Sequence, residues 1–423
     1  MTKLTARPGN ALTGIVAIPG DKSSSHRALI LAAMAEGVSV INNLNEAEDV
    51  MRTMRAVEAF GATVARDGER WRVRGGKWRS PDAPIDCGNS GTTARLLIGA
   101  VAGMEGVSAT FIGDASLSAR PMRRIVAPLT RMGARIEGGD TLPLIVHGGR
   151  LGGIDFTNVP ASAQVKSAIL LAGLGGSSPV RIAEPVASRD HTEIMLGEFG
   201  CVVEDGVVLG AQRTLKGCEI TVGADPSAAA FALTAAAMIP GSSVTVRDML
   251  VNPSRTGLYE VLEEMGAAVE LANERIVSGE IIADVTIGHG RLQGVTLAAE
   301  RIPAMIDEIP ALAVAAAMAD GETVIHGLAE LRVKESDRLG ATLAGLIACG
   351  VTALADGDSL RIFGRGTARG GAVLSHGDHR IAMAFLTLGL AADGPVTLDD
   401  GTMISTSFPN FVESMRGLGA DIG

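Results

Sequence analysis

Cations and hydroxyls collect where this chain starts its apolar helices. Gly20-Asp21-Lys22-Ser23-Ser24-Ser25-His26-Arg27 runs directly into Ala28-Leu29-Ile30-Leu31-Ala32-Ala33. Ser23 or Ser24 is suited to cap the free backbone N–H groups of such a helix. Lys22 and Arg27 then sit where the helix dipole favours negative charge, which costs stability unless an anion lies among them. Backbone N–H groups, hydroxyls, a lysine and an arginine at one helix start make a phosphate or carboxylate site.

Similar starts recur. Gly88-Asn89-Ser90-Gly91-Thr92-Thr93-Ala94-Arg95 and Ser162-Ala163-Gln164-Val165-Lys166 precede apolar runs, and two loops add Arg120 and Arg189. Further on, Asp307-Glu308, the cluster Arg332-Val333-Lys334-Glu335-Ser336-Asp337-Arg338, and Asp378-His379-Arg380 carry mixed charge. Asp307 falls in the apolar stretch Met305–Ala317, where a lone carboxylate is expensive unless paired or functional. Asp307 and Glu335 are therefore the general acid/base candidates. There is no Walker A pattern, no GxGxxG opening a helix, and no GxSxG or HExxH motif.

The elements behind these residues repeat six times, at a period of roughly 70 residues. Each copy has a polar start, a small-residue apolar helix, a second amphipathic helix and a Gly-containing turn into a strand. The turns are Phe60-Gly61-Ala62, Met132-Gly133-Ala134, Phe199-Gly200-Cys201, Met265-Gly266-Ala267, Cys349-Gly350-Val351 and Leu418-Gly419-Ala420. A helix ending on glycine and handing over to a strand explains them. Helices apolar nearly all round are buried, so three of them, covered by sheets and outer helices, make one globe, and six make two. The expectation is an α/β chain with domains of about 21–222 and about 1–20 plus 223–423, hinged near 14–20 and 222–225. The strand Gly14–Pro19 is expected to join the C-terminal domain. The helix starts of both domains are expected to line a cationic cleft that focuses anions.

Composition narrows the partners. The 423 residues carry a net charge of −10, so the whole surface attracts neither nucleic acid nor an anionic membrane. Aromatic residues make up only 3%, leaving few platforms for stacking bases. The cysteines, Cys87, Cys201, Cys218 and Cys349, form no CxxC pair and read as reduced apolar fillers, not zinc ligands. Residues 1–20 hold no hydrophobic signal core, and no apolar run is long enough to span a bilayer, so a cytoplasmic protein is expected.

Taken together and in order, the motifs around Lys22–Arg27, Gly88–Thr92, Ala119-Arg120-Pro121, Ser162–Gln164, Arg332–Arg338 and Asp378–Arg380 resemble the EPSP synthase family, in its class II, bacterial branch. The resemblance implies two domains of three βαβαββ-type repeats about a pseudo-threefold axis, an inside-out α/β barrel. It implies transfer of the enolpyruvyl group of phosphoenolpyruvate to the 5-hydroxyl of shikimate 3-phosphate, through a tetrahedral intermediate and with domain closure. It implies no metal or organic cofactor, a monomer, and inhibition by glyphosate.

Carried over residue by residue, the resemblance makes Lys22, Ser23, Arg27, Ser162, Ala163, Gln164, Arg189, Asp307 and Lys334 shikimate 3-phosphate ligands. Lys22, Gly91, Arg120, Gln164, Lys334, Arg338 and Arg380 would hold phosphoenolpyruvate. Asp307 would be the base, Glu335 the acid, and Lys22 a stabiliser of charge on the bridging oxygen. One departure is Thr406, in Ser405-Thr406-Ser407-Phe408-Pro409, where many relatives have a lysine. Two rivals are the sister transferase acting on UDP-N-acetylglucosamine and a non-catalytic anion-binding scaffold. The sister enzymes usually carry a reactive cysteine where this chain has Ala115.

Overall fold

The computed structural model describes residues 2–204 and 208–423. The chain folds into two compact units. The N-terminal unit comprises Gly20–Val222 with Ile276–Glu280; the C-terminal unit comprises Met1–Pro19, Gly223–Arg275 and Ile281–Gly423.

Six apolar helices form the centres of the two units. In the N-terminal unit these are α1 (Lys22–Met34), α2 (Gly91–Ala102) and α3 (Ala163–Gly173). In the C-terminal unit they are α4 (Pro226–Met238), α5 (Ile309–Ala317) and α6 (His379–Ala391). Every residue of α4 and of α5 is buried, as expected for helices without a polar face. Small side chains let backbones approach closely. A Cβ built at Gly99 of α2 would stand 2.4 Å from the Ala168 carbonyl oxygen of α3, and one at Gly103 would stand 2.3 Å from that of Ala172. Alanine at either position would force these helices apart, an overpacking cost of about 1–3 kcal/mol.

Helix α1 is capped by Asp21, whose Oδ1 accepts from the Ser24 N–H at 2.7 Å. The expectation of a Ser23 or Ser24 cap is thereby corrected, and a buried carboxylate now offsets part of the charge of Lys22 and Arg27. Asp225, Ser90 and Asp378 cap α4, α2 and α6 in the same manner. Ser162 and Glu308, at the starts of α3 and α5, make no side-chain capping bond. All six predicted turn glycines, Gly61, Gly133, Gly200, Gly266, Gly350 and Gly419, have positive φ, which is why glycine stands there.

Among the described residues, three four-stranded sheets wrap each helix trio, and all share one strand order. In the second repeat, Ile85–Asp86 pairs parallel with Ser108–Ile112, which pairs antiparallel with Leu144–His147, and Arg135–Gly138 closes the edge. Three repeats are completed by a strand remote in sequence. Glu219–Thr221 serves Val38–Asn42, and Thr13–Val16 serves Ser243–Leu250. Leu4–Arg7 lies between Val396–Leu398 and Asp421–Ile422. Each sheet is an open four-stranded ribbon outside its helices, so among the described residues the units are mixed α/β, with no closed β-barrel.

Among the described residues no helix is long and apolar enough to cross a membrane. Cys87, Cys201 and Cys349 are buried, and burial pushes the Cys87 thiol up to about 12.

Candidate active site

In the N-terminal unit the three helix starts converge through their side chains. Arg27, one and a half turns into α1, is buried and spreads its guanidinium over three elements. Its Nε donates to Thr192 Oγ1 at 2.6 Å, Nη2 to Ser167 Oγ at 2.8 Å, and Nη1 to the Ser23 carbonyl at 2.8 Å. The two hydroxyls share a 2.6 Å hydrogen bond, joining α3 to the helix His191–Glu198. Arg189 lies in the loop three residues before Thr192. That loop is therefore fastened beside the α1 start.

Starts α2 and α3 meet at Gln164. Arg95 Nη1 donates to Gln164 Oε1 at 2.6 Å, and Gln164 Nε2 donates to Thr92 Oγ1 at 2.9 Å. Arg120 Nη2 donates to Asn89 Oδ1 at 2.7 Å. A Cβ at Gly91 would stand 3.0 Å from Arg95 Nη1 and 3.4 Å from Arg120 Nη1, so Gly91 lies beside two guanidinium groups. Lys22 Nζ is 3.1 Å from Asp49 Oδ2, and the Asp49 carbonyl accepts from Thr93 Oγ1 at 3.2 Å. Beneath them His26 is fully buried and shares a 2.7 Å hydrogen bond with Thr53 Oγ1. Burial first, then the charges of Lys22 and Arg27, hold this imidazole well below the usual range, so it is neutral at pH 7.

The C-terminal unit gathers charge more densely. Arg338 is fully buried, and its fork holds Asp378 at 2.9 Å (Nε to Oδ2) and 3.3 Å (Nη2 to Oδ1). The same guanidinium meets Glu335 and reaches Asp307 Oδ1 at 3.4 Å. Lys334 Nζ stands 3.4 Å from that oxygen. Arg380 Nη1 donates to the Asp307 carbonyl at 3.1 Å and lies 3.8 Å from Glu308 Oε1. Glu308, at the start of α5, accepts from Ser227 at the start of α4. Burial by itself would lower Arg338, but Asp378, Glu335 and Asp307 outweigh it and raise the guanidinium above its ordinary value. A fixed cation thus lies between the two candidate acid/base carboxylates.

Within each unit, then, the structure brings the predicted residues together. Lys22, Ser23, Arg27, Gly91, Arg120, Ser162, Ala163 and Gln164 stand at or beside converging helix starts. Asp307, Lys334, Glu335, Arg338 and Arg380 form one cluster. Lys166, read from sequence among the polar helix-start residues, is instead buried between Glu184 and Glu193. Thr406 turns its hydroxyl to the Met403 carbonyl at 2.7 Å and stands 3.5 Å from His379 Nδ1. It supplies no cation in place of the expected lysine. Sequence reading missed Asp49, Ser167, Arg255 and Ser227. Only Asp49 had a signal, an acid in the first turn of Glu48–Ala59.

Helix starts that gather buried arginines with buried and half-buried carboxylates, in a two-unit α/β protein of six like repeats, are suited to small polyanions. The model of the family EPSP synthase (3-phosphoshikimate 1-carboxyvinyltransferase) matches residues 6–415. The chain is 52% identical to the 3-phosphoshikimate 1-carboxyvinyltransferase of Phenylobacterium zucineum, over 99% of this chain and 95% of that protein. It is 50% identical to that of Caulobacter vibrioides, over 99% and 98%. The structure of EPSP synthase from Acinetobacter baumannii superposes with a TM-score of 0.88 at 39% identity, covering all of both chains. The chain belongs to the EPSP synthase family.

Proposed function

We propose that this protein transfers the enolpyruvyl group of phosphoenolpyruvate to the 5-hydroxyl of shikimate 3-phosphate and releases phosphate. The observation that carries the reading is the cluster on Arg338. It sets two carboxylates, Asp307 and Glu335, among Lys334, Arg338 and Arg380, in a chain that belongs to this family. The sister transferase is disfavoured by the family match and by Ala115.

In this reading Arg27, Ser23, Ser162, Ala163 and Arg189 bind shikimate 3-phosphate, with Gln164, Lys22 and Lys334 contacting it as well. Gly91, Arg120, Lys334, Arg338 and Arg380 bind phosphoenolpyruvate, together with Lys22 and Gln164. Guanidinium forks suit both phosphate and carboxylate. Glu335 gives its proton to the methylene carbon of phosphoenolpyruvate, and the central carbon becomes cationic. The 5-hydroxyl oxygen adds to that carbon while Asp307 takes its proton. The tetrahedral ketal phosphate then expels phosphate, assisted by Lys22 at the bridging oxygen; the leaving phosphate takes up the proton held by Asp307, and loss of a methyl proton to Glu335 forms the enol ether. Fixed charges around the reacting carbon supply most of the stabilisation. The protein works as a cytoplasmic monomer on these two small molecules.

The test is direct. Purified protein mixed with both substrates should release phosphate and form the enolpyruvyl ether in equal amounts. Neither substrate alone should yield phosphate, and no product from the pair would overturn the reading.

Glyphosate should compete with phosphoenolpyruvate. In Gly91→Ala the added methyl must press on Arg95 Nη1 and Arg120 Nη1. These are ends of flexible side chains, so the variant should fold, helped by the better helix propensity of alanine. It should shrink the space for the inhibitor and raise its half-inhibitory concentration by at least about tenfold, a loss of about 1.4 kcal/mol. Equal sensitivity of the two proteins would refute the steric account.

A further inference from the structure

Behind the α3 start lies a buried ion cluster that the reaction above leaves unused. Lys166 Nζ stands 2.7 Å from Glu184 Oε2 and 2.6 Å from Glu193 Oε1, and its side chain is 2% exposed. Two carboxylates face one ammonium, and they are not equivalent. Burial dominates at Glu193 and pushes its carboxyl above the usual range in spite of Lys166. Glu184 is also penalised by burial, but Lys166, Ser188 and Asn158 together bring it below its ordinary value. Glu184 is therefore the member whose ionised form the surroundings favour more, and it is the better bonded of the two.

Its partners come from three separate segments. Glu184 Oε1 accepts from Asn158 Nδ2 at 2.5 Å and from Ser188 Oγ at 2.6 Å. Glu184 Oε2 accepts from the Ser188 N–H at 3.2 Å as well as from Lys166. Asn158 Nδ2 also donates to the Ser162 carbonyl at 3.1 Å. The Ser188 carbonyl accepts from Lys166 Nζ at 3.4 Å, and Ser188 immediately precedes Arg189. One carboxylate thus ties the segment carrying Ser162, Ala163 and Gln164 to the loop carrying Arg189. Other ties, such as Lys166 to Glu193 and Ser167 to Thr192, hold the helices together, but the bonds that Ser188 donates, beside Arg189, converge on this carboxylate and are lost with it. A buried ion pair contributes little to net stability compared with apolar packing, whereas it does fix the relative position of what it joins.

We propose that Glu184 is a positioning residue for the shikimate 3-phosphate subsite, setting the register between the Ser162–Gln164 helix start and Arg189. It acts through its partners and touches no substrate. This assignment rests on the function proposed above. Of the groups assigned to phosphoenolpyruvate only Gln164 lies on this helix start, and the arginines and lysines hang on other elements, so the effect falls mainly on shikimate 3-phosphate.

The experiment measures binary binding of shikimate 3-phosphate by calorimetry, and KM for phosphoenolpyruvate at saturating shikimate 3-phosphate. Wild type, Glu184→Ala, Glu184→Gln and Ser188→Ala are compared. Glu184→Ala should weaken shikimate 3-phosphate binding at least about tenfold and leave KM for phosphoenolpyruvate within about twofold. Glu184→Gln keeps an acceptor oxygen for Asn158 and Ser188, and should recover most of the affinity. Unchanged binding in Glu184→Ala, or an equal rise in both constants, would overturn the assignment. Should Glu184→Ala fail to fold, Ser188→Ala decides: a weakening of about threefold or more supports the role, and wild-type affinity refutes it. A wild-type protein that bound no shikimate 3-phosphate would overturn the underlying function itself, and this assignment with it.

Discussion

Asp307→Asn should lower kcat by about 10²–10⁴-fold, the range for loss of a positioned general base, with KM for phosphoenolpyruvate little changed. The physical reason is specific to the cluster. The asparagine carbonyl can still accept from Lys334 and Arg338, each 3.4 Å from Asp307 Oδ1 in the native protein. The Asp307 backbone carbonyl still accepts from Arg380. The cationic side of the site therefore keeps its shape, and what disappears is the capacity to take a proton. A loss confined to kcat identifies an interaction made only in the transition state. Were kcat to stay within about tenfold of wild type, Asp307 would be a structural counter-ion of Arg338 and the base would lie elsewhere. A large rise in KM with unchanged kcat would likewise make it a ground-state ligand.

Much of this site is legible before the fold is known, for a physical reason. A lysine or arginine at the start of an apolar helix breaks a local electrostatic rule, and such breaks concentrate where function has its own demands. Lys22, Arg27, Arg95 and Arg380 stand out on that ground, and Asp307 does so as a lone carboxylate in an apolar run. The six glycines at helix ends were equally readable, since only glycine adopts that backbone cheaply. Partners set by remote contacts were not readable. Nothing in the local sequence marks Leu4–Arg7 as the strand between Val396–Leu398 and Asp421–Ile422. Nor does it mark Arg255 as the residue whose Nη2 holds Ser227 Oγ at 2.9 Å and Asp225 Oδ1 at 3.2 Å. Lys166 shows the converse error. It has the right type and position for an anion ligand, yet two glutamates from later segments consume its charge. The Asp21 cap was overlooked because three serines follow it, and the acid in fact makes the 2.7 Å bond.

The second large effect is expected at Arg338, where the proposed site and the stability of the unit depend on one side chain. Arg338→Met should lower kcat/KM by about 10²–10³-fold, the usual loss for a preorganised charge at the reacting centre. It should also destabilise the C-terminal unit by about 3–5 kcal/mol, because breaking a buried pair leaves an uncompensated ion. The orphan would be Asp378, fully buried, bonded to Arg338 at 2.9 and 3.3 Å and capping α6. The pH dependence separates this cause from lost packing. In the wild type, burial alone would raise the Asp378 carboxyl, but Arg338 leads the groups that bring it below its ordinary value. A depressed folded-state value contributes stability that is full above the unfolded pKa of about 3.9 and is lost as pH falls through the folded one. Without Arg338 the burial penalty wins and the folded value rises above the unfolded one. The variant should then gain stability relative to wild type as pH falls from 7 toward 5, the opposite slope. Denaturant melts of the C-terminal unit at several pH values read this out. Adding Asp378→Asn removes the orphaned charge, and the double variant should regain at least about half of the lost stability at pH 7. It should regain none of the activity, since the guanidinium between Asp307 and Glu335 is still missing. Recovery of both, or of neither, would mean that Arg338 and Asp378 are not the coupled pair that their geometry describes.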